Sequence, residues 1–303
     1  MNAIVLDNLR KCYGDLWAVD GVSFEVRRGE IFGMVGPNGA GKTTTIECLE
    51  GLRRATEGRA SVLGLDPQRH SYELRERIGV QLQQNSLPDR LKVREILDLF
   101  AAFYRRSVDW RPILDELGLV EKAGAPFAKL SGGQKQRLLI ALALINDPEI
   151  VFLDELTTGL DPQARRAMWD LVRRIRDQGK TVFLTTHYME EAEQLCGRVA
   201  IIDHGKIVGL DTPQNLIASL DAENRVVFAV DSPIDLIPFR AIPGVSRVEQ
   251  TGGRIIVFGR EDELVVRVVM ALAAAKIRFR DLRTEQPSLE DVFLALTGKE
   301  MRD

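Results

Sequence analysis

The segment from residue 31 to residue 43 constrains the fold more than any other part of the chain. An apolar run, Ile31 to Val35, leads directly into a glycine-rich loop. The loop consists of Gly36, Pro37, Asn38, Gly39, Ala40, Gly41, Lys42 and Thr43. It matches GxxxxGK[ST], in which backbone N–H groups and a helix N-terminus surround phosphate. The pattern predicts a nucleotide-binding α/β domain; the alternative is a simple glycine turn between a strand and a helix.

The residue types in and near this loop predict how a nucleotide is held. We expect Lys42 to reach the β- and γ-phosphates and Thr43 to ligate Mg²⁺, with Thr44 part of the same site. Tyr13 is the candidate platform for the base, because an aromatic face can stack on adenine. A tyrosine with no ligand remains the alternative at that position.

A second apolar run, residues 150–153, ends in Asp154 and Glu155. Burying two carboxylates is costly unless they meet a cation or water, so both are expected at the exit of a strand. Asp154 is predicted to hold Mg²⁺ through water. Glu155 is predicted to orient or deprotonate the attacking water. The alternative for Glu155 is a solvated residue at a strand end.

Hydrophobic patterns predict the layers of the first domain, residues 1–218. Val22, Phe24 and Val26 alternate with polar residues, which indicates a strand with one buried face. Parallel strands covered on both faces are predicted from nearly continuous apolar segments at 31–35, 150–153, 181–184 and 199–202.

A helical insertion is predicted to begin at residue 85, running to about 130 and forming a subdomain to about 145. Two sets of apolar residues recur there at helical spacing, and we interpret them as packing faces. They are Val93, Ile96, Leu97, Phe100, Ala101 and Tyr104, then Trp110, Ile113, Leu114 and Leu117, with Gly118 ending the second helix.

Residues 219–303 follow a different pattern, which predicts a small second domain. The predicted order is a strand at 225–230, a helix at 233–240, strands at 246–251 and 254–259, a helix at 261–275 and a strand at 276–282. This βαββαβ order indicates a ferredoxin-like α+β module.

Composition excludes several classes of protein. The net charge of -3 provides no general attraction to nucleic acid, so we expect no nucleic-acid partner. Cys12, Cys48 and Cys196 stand far apart and predict neither disulfides nor zinc. The N-terminus lacks a signal-peptide pattern. The longest strongly apolar stretch, 138–145, is far shorter than the roughly 20 residues that cross a bilayer.

A string that other P-loop enzymes lack carries a family resemblance. Leu130, Ser131, Gly132, Gly133 and Gln134 resemble the signature of ATP-binding-cassette (ABC) ATPases. In the same order, Gln83 resembles the Q-loop glutamine, Gly159, Leu160 and Asp161 resemble the D-loop, and His187 resembles the switch histidine. The resemblance covers roughly residues 4–210 and implies a P-loop NTPase of the ABC nucleotide-binding type with a helical subdomain.

The resemblance also implies functions for these motifs. Ser131 and Gln134 form the SxxQ of a capping box, and the same helix N-terminus would bind the γ-phosphate held by a second subunit. The implied assembly is a homodimer with ATP at the interface, to which Asp161 would contribute. Gln83 would act near the metal, with Gln84 as a competing assignment. His187 would contact the γ-phosphate, and a plain polar histidine is its alternative.

Two features refine the resemblance. Leu156 replaces the proline that usually follows the catalytic Glu, which is expected to change loop stiffness rather than chemistry. The segment 287–294 resembles the tail of ATPase subunits from drug-resistance-type, ABC-2-like exporters. The resemblance therefore implies an ATPase that powers export through a separate integral membrane permease, peripheral on the cytoplasmic face. A soluble ABC ATPase acting on nucleic acid or ribosomes is the alternative; a nucleotide kinase leaves Ser131 to Gln134 and His187 unexplained.

Overall fold

The chain folds into two compact units. A computed structural model describes residues 1–81, 87–220, 223–232, 234–260 and 263–298. Contacts between residues divide the chain into Met1–Pro213 with the last described residues from Leu296, and Gln214–Ala295. The domain boundary that the sequence predicts, at residue 218, lies a few residues after this division and stays a prediction.

The first unit contains nine strands and seven α-helices among its described residues. The strands are β1 (Asn2–Tyr13), β2 (Leu16–Arg27), β3 (Ile31–Val35), β4 (Glu57–Val62), β5 (Ile78–Gln81), β6 (Ile150–Asp154), β7 (Thr181–Thr186), β8 (Arg198–Asp203) and β9 (Lys206–Asp211). The helices are α1 (Lys42–Leu49), α2 (Ser71–Arg75), α3 (Val93–Ala101), α4 (Trp110–Glu116), α5 (Gly132–Leu144), α6 (Pro162–Asp177) and α7 (Met189–Leu195). No helix in the described parts of the chain combines the length and apolar character needed to cross a bilayer.

A six-stranded sheet forms the centre of this unit, in the order β5-β6-β7-β3-β8-β9. Every pair is parallel except β8 with β9. Strands β3, β6 and β7 are buried along their whole length, as expected for parallel strands covered on both faces. The four predicted parallel strands are confirmed. The short strand β5 was not predicted, because four residues carry little periodic signal.

An antiparallel sheet, β2-β1-β4, packs its apolar face into the same core. Val22, Phe24 and Val26 are buried while the residues between them are exposed, which confirms the predicted alternation. The ring of Phe24 stacks on that of Phe32 of β3, with centroids 5.0 Å apart. This contact joins the two sheets, so the start of the phosphate loop has a rigid base.

The predicted helical insertion contains α3, α4 and α5 with two short 3-10 turns, Val120–Lys122 and Phe127–Lys129. Val93, Ile96 and Leu97 form the buried face of α3, as the spacing predicts. This helix ends at Ala101, so Tyr104 lies beyond it rather than within it. The described residues of the insertion therefore form a separate helical layer of the first unit.

The second unit confirms the ferredoxin-like order. It runs through α8 (Pro213–Ser219), β10 (Asn224–Ala229), α9 (Ile237–Arg240), β11 (Val245–Thr251), β12 (Arg254–Gly259), α10 (Leu264–Ala274), β13 (Arg280–Glu285) and α11 (Leu289–Thr297). Its sheet order, β11-β12-β10-β13, is antiparallel throughout. The last strand begins four residues later than predicted because α10 ends in a Schellman motif, with Lys276 at φ 52° and Ile277 N–H bonded to Leu272 O.

Candidate functional site

Two glycines of the phosphate loop have no room for a side chain. A Cβ on Gly36 would lie 2.1 Å from the carbonyl oxygen of Ile202, and one on Gly41 would lie 2.3 Å from that of Ala18. Gly41 also has φ 106°, a conformation that L-residues rarely adopt. The loop is therefore pressed between the ends of neighbouring strands, and only glycine allows that close approach.

The loop presents backbone donors where α1 begins. Among the described residues, no acceptor takes the amide hydrogens of Lys42, Thr43 and Thr44, the first residues of the helix. Gly39, at φ 81°, and Asn38 are exposed at the tip of the loop. Unpaired N–H groups at a helix N-terminus bind anions. This donor set fits the phosphates of a nucleotide.

Lys42 is buried at the centre of the site, with only 4% of its surface exposed. Its Nζ donates to the carbonyl oxygens of Gly36 at 2.7 Å and Pro37 at 3.1 Å, and lies 3.8 Å from Glu155 Oε1. Burial lowers the pKa of Lys42, while the carboxylates of Glu155 and Asp154 oppose that effect. The ammonium group is thus held within the loop that would surround phosphate.

The residues present fit a magnesium ion. The Thr43 hydroxyl donates to Asp154 Oδ2 at 3.3 Å, and Thr185 donates to Asp154 Oδ1. Burial raises the pKa of Asp154; the hydrogen bonds from Thr185 and Thr43 and the charge of Lys42 oppose it. Among the described residues, no group of three or more His, Cys, Asp or Glu side chains could hold a metal ion. One hydroxyl and one carboxylate match Mg²⁺, which takes few protein ligands and completes its shell with phosphate and water.

Glu155 and His187 meet beside Lys42. Glu155 has φ 50°, unusual for a residue with a side chain, and its N–H donates to Thr185 O at 3.1 Å. His187 Nδ1 lies 3.5 Å from Glu155 Oε1. The left-handed backbone conformation of Glu155 costs on the order of 1–3 kcal/mol, and backbone strain of this kind is typical of functional sites. The structure therefore brings the three predicted catalytic residues together around one carboxylate oxygen.

Tyr13 lies in the β1–β2 hairpin, opposite Leu16. The same hairpin contacts the phosphate loop through Ala18, whose carbonyl faces Gly41. The tyrosine is 40% exposed, with Lys11 Nζ 5.0 Å and Arg53 Cζ 5.6 Å from its ring centroid. The ring is therefore accessible, as base stacking requires.

The signature residues stand at the start of α5. Ser131 N–H donates to Gln134 Oε1 at 3.0 Å and Gln134 N–H donates to Ser131 Oγ at 3.3 Å, so the predicted capping box forms. Ser131 and Gly132 are exposed. Across the described parts of the chain, no hydrogen bond or ion pair connects this segment to the phosphate loop. The starts of α1 and α5 are thus two separate helix N-termini of one chain.

The structure gives a position for the predicted residues Asp161, Gly133 and Leu156, but not for Gln83. Asp161 caps α6 by accepting the Ala164 N–H at 2.9 Å. Gly133 lies near this segment, since a Cβ there would be 4.0 Å from Leu160. Gln83 and its competitor Gln84 lie outside the described residues. Leu156 is buried, so its side chain packs in the interior of the turn that follows Glu155.

Sequence reasoning missed Thr185, whose hydroxyl contacts the Asp154 carboxylate and also accepts the Glu155 N–H at 3.3 Å. Its position just after the predicted strand at 181–184, two residues before His187, was the available signal.

Comparison with known proteins reveals extensive similarity. The ABC transporter family profile matches residues 19–158. Nod factor export ATP-binding protein I of Paraburkholderia xenovorans (strain LB400) is 41% identical over 99% of this chain and 99% of its own length. The protein of the same name from Ralstonia nicotianae (strain ATCC BAA-1114 / GMI1000) is 38% identical over 98% of this chain and 94% of its own.

Solved structures are similar to this chain over most of its length. CbiO1 from Clostridium perfringens, described as part of the ABC transporter complex cbiONQ, has a TM-score of 0.65 and 25% identity, covering 72% of this chain and 91% of its own. A dimeric post-hydrolysis state of the ATP-binding cassette MJ0796 bound to ADP and Pi has a TM-score of 0.62 and 28% identity, covering 69% of this chain and 98% of its own.

Proposed function

The chain belongs to the ABC transporter family as an ATP-binding, ATP-hydrolysing subunit, and from this membership we propose that two copies enclose ATP between them to power export through a separate membrane permease. The assembly would lie on the inner face of the cell membrane. The relatives named for Nod factor export support the direction of transport.

One observation carries the composite-site proposal: these two helix N-termini of a single chain are not joined. Lys42 and the unpaired N–H groups at the start of α1 would donate to one side of a triphosphate. The start of α5, where Ser131 and Gly132 are exposed, would donate to another side. A head-to-tail pair would place the signature of one subunit over the phosphate loop of the other. The dimeric cassette with bound ADP and Pi supports pairing in this group of proteins.

Lys42, Glu155 and His187 would then have separate roles. Lys42 would neutralise charge on the β- and γ-phosphates. Glu155 would orient or deprotonate the attacking water, and its Oε1 lies 3.8 Å from Lys42 Nζ. His187, 3.5 Å from that carboxylate, would hold its orientation and contact the γ-phosphate.

Magnesium would bind between Thr43 and Asp154, with Gln83 as a further candidate near it. An ion held there would supply positive charge against the charge that develops on the phosphates. Thr185 would keep the Asp154 carboxylate turned toward Thr43 through its own hydrogen bond.

Binding of the permease would use the helical insertion. Leu99 and Phe103, on and just after α3, expose 44% and 67% of their surfaces. Tyr72, in the adjoining part of the first unit, is also exposed. Large apolar side chains exposed in this way are typical of surfaces that bind another protein. The helical insertion begins just after Gln83 in the sequence, and the Gln83 loop would transmit a change at the γ-phosphate to the partner.

A complementation experiment tests the composite site. Lys42→Ala removes the loop cation and Ser131→Arg blocks the signature, so each variant alone should neither form an ATP-dependent dimer nor hydrolyse ATP. Mixed together, they can build one intact site from the loop of the Ser131→Arg chain and the signature of the Lys42→Ala chain. ATPase activity should return to about half the wild-type value or less. Glu121→Arg, an exposed change in the same helical region, is the matched control.

A second measurement isolates nucleotide binding. Glu155→Gln should bind ATP, hydrolyse it slowly and accumulate as a dimer by size-exclusion mass. Two results together would refute the shared site. The mixture would recover no ATPase activity, and the Glu155→Gln dimer would form equally without ATP and with the added change Ser131→Arg.

A further inference from the structure

The imidazole of His187 packs against the side chain of the next residue. Its Nδ1 lies 3.5 Å from Glu155 Oε1, but among the described residues this buried nitrogen has no hydrogen-bond partner of good geometry. The ring of Tyr188 lies beside the imidazole, with the two ring centroids 4.1 Å apart and the ring planes at 44°. Packing and hydrogen bonds are what lock the rotamer of a functional side chain. Because no such bond forms at Nδ1, the Tyr188 ring is the contact that limits rotation of the imidazole.

Tyr188 is itself held at two points. Its backbone N–H donates to Thr186 Oγ1 at 3.0 Å, just before the first turn of α7. The guanidinium carbon of Arg165, from α6, lies 4.4 Å from the centroid of the Tyr188 ring. A cation at this distance over an aromatic face is attracted to the ring. Tyr188 therefore contacts both the catalytic histidine and a cation from another helix.

Arg165 lies in the first turn of α6. Its N–H donates to Asp161 O at 2.9 Å, and Asp161 Oδ1 accepts the Ala164 N–H at 2.9 Å, so the cap of α6 fixes the backbone of this turn. The buried Nε of Arg165 has no hydrogen-bond partner within the described parts of the chain. The contact with the Tyr188 ring thus joins this side chain to the connection between β7 and α7.

We propose that Arg165 and Tyr188 are positioning residues for His187. The guanidinium holds the tyrosine ring, and the tyrosine ring holds the imidazole beside Glu155. This role rests on the proposed ATPase function. Neither side chain takes part in the chemical step, since Arg165 acts through Tyr188 and Tyr188 acts through His187. The start of α6, whose Asp161 would contribute to the dimer interface, is thereby joined to the reacting centre.

Full-length variants separate the two contacts. Arg165→Met removes the cation and keeps an unbranched side chain, Tyr188→Leu removes the ring, and Tyr188→Phe keeps the ring but not the hydroxyl. The double variant Arg165→Met/Tyr188→Leu tests whether the two residues act in series. Arg166→Met is the matched control, because it makes the same change at the exposed neighbouring position.

Turnover should follow the presence of the ring and of the cation over it. We expect kcat to fall on the order of tenfold in Tyr188→Leu and about threefold in Arg165→Met, since small misplacements of catalytic groups cost up to about a hundredfold. Tyr188→Phe and Arg166→Met should keep the wild-type kcat. The double variant should be no slower than Tyr188→Leu, because residues that act in series have non-additive effects. The KM for ATP and the ATP-dependent dimer should match the wild type throughout.

NMR signals of the histidine rings give a readout that does not depend on turnover. The chain has three histidines, His70, His187 and His204, so the His187 signal is identified by its loss in His187→Ala. Arg165→Met should shift the His187 signal and leave the other two in place, although the guanidinium lies over the ring of Tyr188. Arg166→Met should leave all three signals unchanged.

Wild-type kcat with an unshifted His187 signal in Arg165→Met would overturn the inference and leave the proposed function intact. Tyr188→Phe as slow as Tyr188→Leu, or losses that add in the double variant, would also overturn it. A lower melting temperature with wild-type kcat in Arg165→Met would show a purely structural contact. If Tyr188→Leu does not fold, the comparison of Arg165→Met with Arg166→Met still decides. If the wild type does not hydrolyse ATP, the proposed function fails, and the histidine signals still show whether Arg165 positions His187.

Discussion

Replacing Glu50 with Gln should change how the stability of the first unit depends on pH. Glu50 follows the last turn of α1, with only 2% of its surface exposed, and its Oε2 has no hydrogen-bond partner. Burial, with repulsion from Asp154 and Glu47, raises its pKa from 4.5 to about 8. At neutral pH the folded protein therefore keeps this carboxyl protonated, whereas the unfolded chain ionises it.

The direction of the effect follows from that difference. The folded state binds the proton more tightly than the unfolded state. The contribution of Glu50 to the free energy of unfolding is therefore greatest below pH 4.5 and is lost as the pH rises toward 8. One pKa unit corresponds to about 1.4 kcal/mol. The loss between pH 5 and pH 8 is therefore roughly 3 kcal/mol. Glutamine is neutral throughout, so Glu50→Gln should lack this loss.

Equilibrium unfolding in urea at pH 5, 6, 7 and 8 measures this difference. The protein has three tryptophans, Trp17, Trp110 and Trp169, and all three lie in the first unit, so their fluorescence reports on the unit that contains Glu50. Glu73→Gln, an exposed change, is the control and should follow the wild type. If the free energies of unfolding of the wild type and of Glu50→Gln changed equally with pH over this range, the argument that burial keeps this carboxyl neutral would be refuted.

Three further changes have clear expected outcomes. Gly41→Ala places a Cβ 2.3 Å from the Ala18 carbonyl at φ 106°, so titration with a fluorescent ATP analogue should show binding weakened at least tenfold. His187→Ala should lower kcat on the order of a hundredfold while the ATP-dependent dimer persists; equal loss of both would contradict its role beside Glu155. Phe103→Glu should leave basal ATPase activity unchanged but prevent co-purification with the permease; retained binding would place the coupling surface elsewhere.

Features formed by residues that lie close together in the sequence could be predicted from the sequence. A strand, a glycine turn and a helix start are contiguous in the phosphate loop, and the capping box of Ser131 and Gln134 spans one helical turn. The buried strands β3, β6 and β7 each contain a nearly continuous apolar run, so their position between two covering layers was predictable. The second unit followed from the order of its elements, although the αL residue that ends α10 shifted its last strand.

The tertiary structure alone decided which distant residues share a contact. Glu191 belongs to an acidic run that any local pattern assigns to solvent, but a tryptophan 22 positions earlier in the chain reaches it in the interior. Glu50 and Thr185 likewise have roles that only their neighbours across the sheet define. Local sequence determines backbone conformation over a few residues, whereas burial and charge pairing depend on strand order and helix packing, which bring together segments far apart in the chain.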